Sequence, residues 1–371
     1  MIVDLQISNP ARKFDPADPS RSHTLPSDLY YREDIFEREK EAIFYKSWIF
    51  ICSAGQVAAP GDYTTAKIGD QNIAIVRGKD GELRGFHNVC SHRAHELLSG
   101  AGRTPLIVCP YHSWSYDLTG QLKPNRMTRQ LVDFSPEEFC LKPVRVEEFL
   151  GFVWANIDMD AVPMAQQAPQ FGAHVRKYVD APETLKFVGR LTFEIKANWK
   201  NVVENFQECY HCPNRHPALV KMFDHGSYLT RNYEIVSSHI APAIDDAGAE
   251  SSNNGSHFAG WYVWPNVAIT TGPGHRNLAV MQIMPTGPET TFEHFDFFFD
   301  EAAPEDEQKE SIRYIKEVLQ PEDIDIVESV QRGLRSKAYT QGRLVIDADL
   351  TSNSEHGVHH FQKMVSEALG L

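Results

Sequence analysis

The 371-residue sequence contains no stretch of about 18 uncharged apolar residues, the length that a membrane-spanning helix requires. Its N-terminal residues lack the apolar core of a secretory signal peptide. Basic residues are outnumbered, with 36 Lys and Arg against 50 Asp and Glu, and the formal net charge is −14. So acidic a chain is poorly suited to nucleic-acid phosphates or to an anionic membrane surface. We therefore expect a cytoplasmic protein that binds neither nucleic acid nor membrane.

Cysteine is also scarce, with six residues in the whole chain. In a chain of this size without a secretory signal, they favour reduced thiols or metal ligands over a disulfide framework. The rest of the composition is that of a globular protein, since 42% of the residues are hydrophobic and 11% are aromatic. Such a chain can bury a sizeable core, and its length suggests two or three domains.

Short apolar runs and turn signals indicate how the chain is organised. Strand-like runs joined at Gly69-Asp70 and Asp80-Gly81 predict a small β-rich domain over residues 40–160. The next segment, AVPMAQQAPQ, has two prolines and no periodicity, and it is a candidate domain boundary. Residues 161–371 then mix strand candidates with helical segments, which predicts an α+β domain. Its predicted helices lie near 198–212, 305–319 and 322–337.

The β-rich segment contains two short-spaced pairs of candidate metal ligands, Cys90 with His92 and Cys109 with His112. Thiolates suit iron–sulfur clusters or zinc, and imidazole suits many metals. Zinc fingers usually pair cysteine with cysteine and histidine with histidine, whereas each pair here has one of each. In a Rieske centre one iron takes two cysteines and the other takes two histidines, so each loop serves both irons. The spacing favours a Rieske [2Fe–2S] cluster, with zinc or coincidence as the alternatives.

A second set of candidate ligands follows in the run NVVENFQECYHCPNRHP. A helix before Pro213 would place Glu208 and His211 on one face, and the chain beyond the proline could return His216 to the same point. Two imidazoles with one carboxylate from elsewhere make a 2-His-1-carboxylate triad for Fe(II), with positions open for O₂ and substrate. Asp323, which opens a late predicted helix, is preferred as the carboxylate.

Each part of this second set has a simpler alternative. Asp325 competes with Asp323, and either could be an ordinary carboxylate at a helix N-terminus. The two histidines could belong to a capped helix end. Cys209 and Cys212 form a C-x-x-C motif, typical of a redox pair or of half a zinc site. The sequence has no second C-x-x-C, so these cysteines, like the isolated Cys140, are predicted to be packing residues.

Together and in this order, the two sets resemble the Rieske non-haem iron oxygenase family over nearly the whole chain, from about residue 30 to residue 361. The resemblance includes a late E-D-x-x-x-x-E-x-x-Q-x-G segment at 322–333, which aligns the family's carboxylate ligand with Asp323. It implies a Rieske β-domain inserted in a helix-grip catalytic domain, made of residues 1–39 and 161–371, and usually assembled as a homotrimer.

The resemblance also assigns a role to Glu208. In this family a carboxylate bridges His112 of one subunit and His211 of the next, and electrons pass there from cluster to iron. Most ring-hydroxylating members have aspartate at this position. Glutamate, with local segments such as ECYHC and VESVQRGL, resembles a subgroup that includes carnitine monooxygenase and relatives that oxidise choline, glycine betaine and stachydrine.

The implied protein is the oxygenase component of a monooxygenase served by a flavin and iron–sulfur NAD(P)H reductase. It would use O₂ to oxidise a carnitine- or betaine-like quaternary ammonium compound, by hydroxylation next to nitrogen or by C–N cleavage. Aromatic rings bind such cations by cation–π attraction, so Phe206, Trp261 and Trp264 are candidate substrate-binding residues, with core packing as the alternative. An aromatic-ring hydroxylase, a Rieske electron carrier and a zinc hydrolase on His211 and His216 are competing interpretations.

Overall fold

The computed structural model of the chain describes residues 13–244 and 256–371. These residues form two compact units. One unit contains Lys40–Arg176 and Ala181–Phe187, and the other contains the remaining described residues. The second unit therefore draws on chain from both sides of the first, as expected for a β-domain inserted in a catalytic domain.

The first unit is built from antiparallel strands. They are β1 (Ile49–Ser53), β2 (Asp62–Ile68), β3 (Gln71–Arg77), β4 (Leu83–His87), β5 (Ala101–Arg103), β6 (Ile107–Val108), β7 (Ser115–Tyr116), β8 (Leu122–Lys123), β9 (Pro143–Phe149) and β10 (Phe152–Asn156). Within the described ranges, seven of them form a sheet in the order β1-β10-β9-β4-β3-β2-β5, and three form a small sheet, β6-β7-β8. The predicted turns join β2 to β3 and β3 to β4, where Gly69 and Gly81 have positive φ angles of 59° and 84°.

In the chain, α1 (Glu33–Ala42) precedes β1, and α2 (Met164–Gln167) and α3 (Phe171–Arg176) follow β10. The last two belong to the first unit, although the sequence placed residues beyond 160 in the catalytic domain. The side chain of Met164 is fully buried, and its backbone N–H donates to Glu147 of β9 at 2.9 Å. This contact holds the segment on the β-domain, so the boundary lies after the proline-rich stretch rather than within it.

The second unit contains a long antiparallel sheet. Its strands are β11 (Lys186–Ile195), β12 (Leu229–Asn232), β13 (Val236–Pro242), β14 (His257–Val263), β15 (Val267–Thr271), β16 (Asn277–Gly287) and β17 (Thr290–Phe299). Over the part of the chain that the structure describes, these seven strands are ordered β11-β17-β16-β15-β14-β13-β12. The sheet and the helices packed on it confirm the predicted α+β class.

The helices of this unit are α4 (Trp199–Phe206), α5 (Cys212–Arg215), α6 (Asp306–Tyr314), α7 (Gln320–Leu334) and α8 (His356–Leu369). A π-helical segment, Ile315–Leu319, joins α6 to α7, so the two late predicted helices form one continuous helical run. Helix α4 packs against β16, α7 and α8, which places it between the sheet and the C-terminal helices. None of the helices that the structure describes is long and apolar enough to cross a membrane.

Candidate metal centres and the adjoining cavity

The two predicted cluster loops share one backbone geometry. In each loop the cysteine N–H donates to the carbonyl five residues later, at 2.8 Å for Cys90 and 2.7 Å for Cys109. The N–H four residues after each cysteine donates back to the cysteine carbonyl, at 3.0 Å in both loops. The residues at that position, Ala94 and Ser113, both have positive φ angles, 57° and 59°. Two matched loops offer their ligands in equivalent geometry, which suits a cluster of two irons.

The cysteines and the histidines of these two loops differ in burial. Cys90 and Cys109 are free cysteines and are each 2% exposed, whereas His92 and His112 lie on the surface. The two imidazole rings have centroids 4.8 Å apart and are nearly perpendicular. The hydroxyl of Tyr116 lies 3.4 Å from the Cys90 sulfur. Buried thiols beside exposed imidazoles fit a Rieske cluster whose histidine-bound iron faces outward.

The other candidate ligands meet in the second unit. His211, His216 and Asp323 each offer a ligand atom, and these atoms all lie within 4.8 Å of one another. The Asp323 Oδ1 atom is 2.9 Å from Nε2 of His216 and 3.6 Å from Nε2 of His211. Asp325 instead pairs with Arg215 at 2.7 Å, and both are exposed. The geometry therefore groups Asp323, and not Asp325, with the two imidazoles.

The outer nitrogens of both imidazoles are held by carboxylates. Nδ1 of His211 donates to Glu208 at 2.5 Å, and Nδ1 of His216 donates to Glu322 at 2.7 Å. A hydrogen bond at Nδ1 fixes the tautomer and leaves the Nε2 lone pair for a metal. Two such lone pairs and a carboxylate oxygen at one point are the donor set of a mononuclear iron site. Sequence reasoning missed Glu322, although it precedes Asp323 in the late motif.

The helix that precedes the first ligands is shorter than predicted. It was expected over 198–212, but α4 ends at Phe206. The carboxylate of Glu208 accepts the backbone N–H of Tyr210 and, at 3.1 Å, that of His211. A side chain that takes these N–H groups replaces the helical carbonyl acceptors, so the chain turns. Glu208 thus both shapes the turn and orients the His211 ring.

The same turn brings two cysteines together. The Cα atoms of Cys209 and Cys212 are 5.0 Å apart, and their sulfurs form a disulfide of 2.06 Å. Both are buried in an apolar cluster with Phe223 and Tyr228. The prediction that they pack in the core is confirmed, but the expectation of reduced thiols is wrong for this pair. The C-x-x-C spacing is compatible with a disulfide, and the turn after α4 brings the two sulfurs into bonding distance.

A cavity of about 280 Å³ lies beside the three candidate ligands. One wall is β17, whose residues alternate between the two faces of the sheet. Glu293, Phe295 and Phe297 face the cavity, whereas Asp296 pairs with Arg190 of β11 at 2.5 Å. Six phenylalanines of the described residues line the cavity: Phe206, Phe223, Phe258, Phe295, Phe297 and Phe299. The site therefore offers mainly aromatic and aliphatic surface next to the metal-binding residues.

Two of the three aromatic residues predicted to bind substrate lie elsewhere. A side chain at Gly260 of β14 would come within 3.3 Å of the ring of Phe206, which lines the cavity, so residue 260 lies on the face of β14 that packs against Phe206. Neighbouring residues of a strand point to opposite faces, so Trp261 points away, and it is fully buried. Trp264 packs against Phe361, with ring centroids 6.1 Å apart. Of the predicted three, Phe206 alone is among the described residues that line the cavity.

Two buried polar atoms of the cavity lining have no hydrogen-bond partner among the described residues: one carboxylate oxygen of Glu293 and the hydroxyl of Tyr314. The other Glu293 oxygen accepts from the Gln320 side chain. Burial, and then the charge of Asp323, raises the pKa of Glu293 well above its usual range. Burial, with the nearby carboxylates, raises the pKa of Tyr314 to about 12. Sequence reasoning missed both groups, since neither belongs to a motif.

Known families match both units of the chain. Residues 47–135 match the Rieske [2Fe-2S] domain. Residues 182–371 match the ring hydroxylating alpha subunit (catalytic domain). The chain is 37% identical over 356 residues to the carnitine monooxygenase oxygenase subunit of Acinetobacter pittii, covering 95% of this chain and 96% of that one. It is 32% identical over 383 residues to the chloroplastic choline monooxygenase of Arabidopsis thaliana, covering 98% and 87%.

Solved structures agree with these matches. The structure of a quaternary ammonium Rieske monooxygenase in complex with L-carnitine superposes with a TM-score of 0.88 at 36% identity, over 96% of this chain and 99% of that chain. A naphthalene 1,2-dioxygenase superposes with a TM-score of 0.78 at 20% identity, which shows a common fold alone. The chain belongs to the Rieske non-haem iron oxygenase family, whose cofactors are a [2Fe–2S] cluster and a mononuclear iron.

Proposed function

We propose that the protein is the oxygenase component of a monooxygenase that oxidises a small quaternary ammonium compound, by hydroxylation next to nitrogen or by C–N cleavage. The composition of the cavity lining carries this proposal. It combines six phenylalanines with four carboxyl groups, those of Glu208, Glu293, Glu307 and Asp323. Among its described residues there is no lysine and no arginine. Aromatic faces and carboxylates attract an ammonium group, and the absence of lysine and arginine leaves nothing to repel it except the metal.

We assign the [2Fe–2S] cluster to Cys90, His92, Cys109 and His112, and the mononuclear iron to His211, His216 and Asp323. When bound, these centres supply the electrons and the oxygen chemistry of the reaction. The residues of the chain position the substrate and keep water away. The phenylalanine walls exclude water, and the carboxylates of Glu208 and Glu322 hold the imidazoles in one orientation.

Glu208 is proposed as the route for electrons between subunits. Its carboxylate already binds Nδ1 of His211, and it is 12% exposed, so one side of the group remains accessible. In a homotrimer packed head to tail, Glu208 would join His211 to the partner subunit's His112. The electrons would come from a flavin and iron–sulfur NAD(P)H reductase, and O₂ would be the second substrate. The cytoplasmic location stays a prediction.

A single-turnover assay tests the proposed reaction. Protein with both metal centres loaded is reduced, freed of excess reductant and mixed with O₂ and one compound at a time. The panel contains choline, glycine betaine, carnitine, γ-butyrobetaine and several aromatic acids, and products are identified by mass spectrometry. We expect an aldehyde or a dealkylated amine from at least one ammonium compound, and no product from Asp323→Ala protein. Product from aromatic acids alone would contradict the proposal and favour ring hydroxylation.

A further inference from the structure

Glu293 is a buried carboxyl group, and only one of its two oxygens has a hydrogen-bond partner among the described residues. It lies on β17 and is 0% exposed, and one of its oxygens accepts from Gln320. The second oxygen has no partner among the described residues, and Glu293 belongs to the lining of the cavity. A buried carboxyl costs free energy unless both oxygens are satisfied, so such a group is a candidate for ligand binding.

Strand β17 and helix α7 together determine the position of Glu293. Its strand neighbours on the cavity face, Phe295 and Phe297, place it at one end of a row of aromatic side chains. Gln320 and Asp323 are three residues apart on α7 and therefore share a face of that helix. Glu293 is close enough to Asp323 for their charges to interact. Glu293 therefore belongs to the end of the cavity that adjoins the metal ligands.

Carboxylates dominate the charge at this end of the cavity. Asp323 is one of the three metal ligands, and the carboxylates of Glu208 and Glu322 bind the outer nitrogens of the two imidazoles. With iron(II) and neutral imidazoles these groups sum to a single negative charge, so the centre attracts an ammonium group. An ionised Glu293 adds to this attraction. Burial and the charge of Asp323 favour its neutral form, and a cation in the cavity opposes both effects.

The rest of the lining offers little to bind a substrate carboxylate. No lysine or arginine is found among the described lining residues, and His275, the one histidine outside the metal set, is 65% exposed. A short zwitterion such as glycine betaine would keep its carboxylate within reach of Glu293 and Asp323. Repulsion there would oppose binding, whereas an uncharged tail such as the hydroxyethyl group of choline avoids it.

We propose that Glu293 recognises the positive charge of the substrate, and that the cavity therefore binds singly charged ammonium compounds such as choline better than short zwitterions such as glycine betaine. This inference rests on the proposed function and specifies its substrate class. Glu293 is a specificity residue, and Gln320 positions it by holding its other oxygen.

Anaerobic titration calorimetry of the metal-loaded protein tests the proposal. The probes are choline, glycine betaine and 3,3-dimethyl-1-butanol, the uncharged carbon analogue of choline. For the wild type we expect the tightest binding with choline. Glu293→Gln should weaken choline binding about tenfold or more, and leave the affinity for the uncharged analogue unchanged. His294→Gln, the next residue on the opposite face of β17, is the matched control and should behave as the wild type.

The outcomes separate this inference from the proposed function. If no ammonium compound binds to the wild type and aromatic acids do, the proposed function fails. If choline binds but Glu293→Gln changes its affinity no more than that of the analogue, the role of Glu293 is refuted. Thermal unfolding and iron content show whether the variant is intact. If the Glu293→Gln variant is not intact, Glu293→Asp is measured instead. Because aspartate keeps the negative charge, loss of the preference for choline over the uncharged analogue in this variant would refute the role of Glu293.

Discussion

The two metal-binding regions of this chain hold their histidines by opposite means. In the cluster loops, backbone hydrogen bonds fix the cysteines, and His92 and His112 lie exposed on the surface. In the catalytic unit, His216 is 2% exposed, and carboxylates hold the outer nitrogens of both imidazoles. Exposed imidazoles suit the entry and exit of electrons. Buried imidazoles beside an apolar cavity suit a reaction from which water must be excluded.

This difference also indicates how strongly amino-acid substitutions should affect each metal-binding region. A ligand loop fixed by its own backbone depends on few distant side chains. A site assembled from the two ends of α5 and from α7 depends on side chains that are far apart in sequence. We expect the largest effects of substitution in the second region, among the carboxylates that orient its ligands.

The largest effect is expected for Asp323→Ala. Loss of one of three ligands should remove the mononuclear iron and lower the iron content from roughly three atoms per chain to two, since the cluster retains its own. Turnover should fall by at least about a thousandfold. Iron analysis with the visible spectrum of the cluster measures both. Asp325→Ala is the matched control, because that carboxylate pairs with Arg215. Iron loss in the control alone would reverse the assignment.

A smaller effect is expected for Glu322→Ala. The substitution removes the acceptor of the His216 Nδ1–H bond and leaves every metal ligand in place. Loss of such a partner weakens metal affinity about 10- to 100-fold. Competition with an iron chelator, followed by residual activity, measures this change. Wild-type affinity would show that burial alone orients His216.

In the cluster region a still smaller effect is expected for Tyr116→Phe. The hydroxyl lies 3.4 Å from the Cys90 sulfur, and a hydrogen bond to sulfur stabilises the reduced cluster. Its loss should lower the reduction potential by roughly 40 mV, because one hydrogen bond is worth about 1 kcal/mol. Spectroelectrochemical titration measures the potential. An unchanged value would mean that the hydroxyl serves the Ser91 N–H alone.

The effect of Glu204→Gln should appear in stability rather than in turnover. Glu204 lies on α4 and accepts from Tyr30 at 2.5 Å, and burial raises its pKa to about 7. Its neutral form favours folding, so the wild type loses stability as the pH rises from about 4.5 through about 7. The variant should be more stable than the wild type at pH 8, by roughly 2 kcal/mol, and similar at pH 5. Denaturant unfolding at both pH values measures this. Parallel pH profiles would contradict it.

The motifs predicted which candidate ligands lie close together, because short spacings place residues on one loop. The alternating strands and the late helices were predictable for the same reason, since periodicity is local. The run TTFEHFDFFF, one of the strand candidates of residues 161–371, forms β17 from Thr290 to Phe299. The family resemblance favours Asp323 over Asp325, and in the structure Asp323 lies beside the two imidazoles whereas Asp325 pairs with Arg215.

Other features depended on tertiary contacts that no local pattern contains. Alternation shows that Trp261 and Gly260 face opposite ways, but not which of them faces the cavity. Glu293 appeared to be an ordinary polar residue of a strand, and its burial follows from the helices packed on that face. The early end of α4 depends on the side chain of Glu208, which a period of 3.6 residues does not reveal.

The cluster region and the catalytic region are expected to act in one reaction through Glu208. Stopped-flow absorbance of the reduced cluster, after mixing with O₂ and an ammonium substrate, tests it most directly. In Glu208→Gln protein with full metal content, we predict that the cluster remains reduced on the timescale of wild-type turnover, because the electron route from cluster to iron is broken. Reoxidation of the cluster at the wild-type rate would contradict the account.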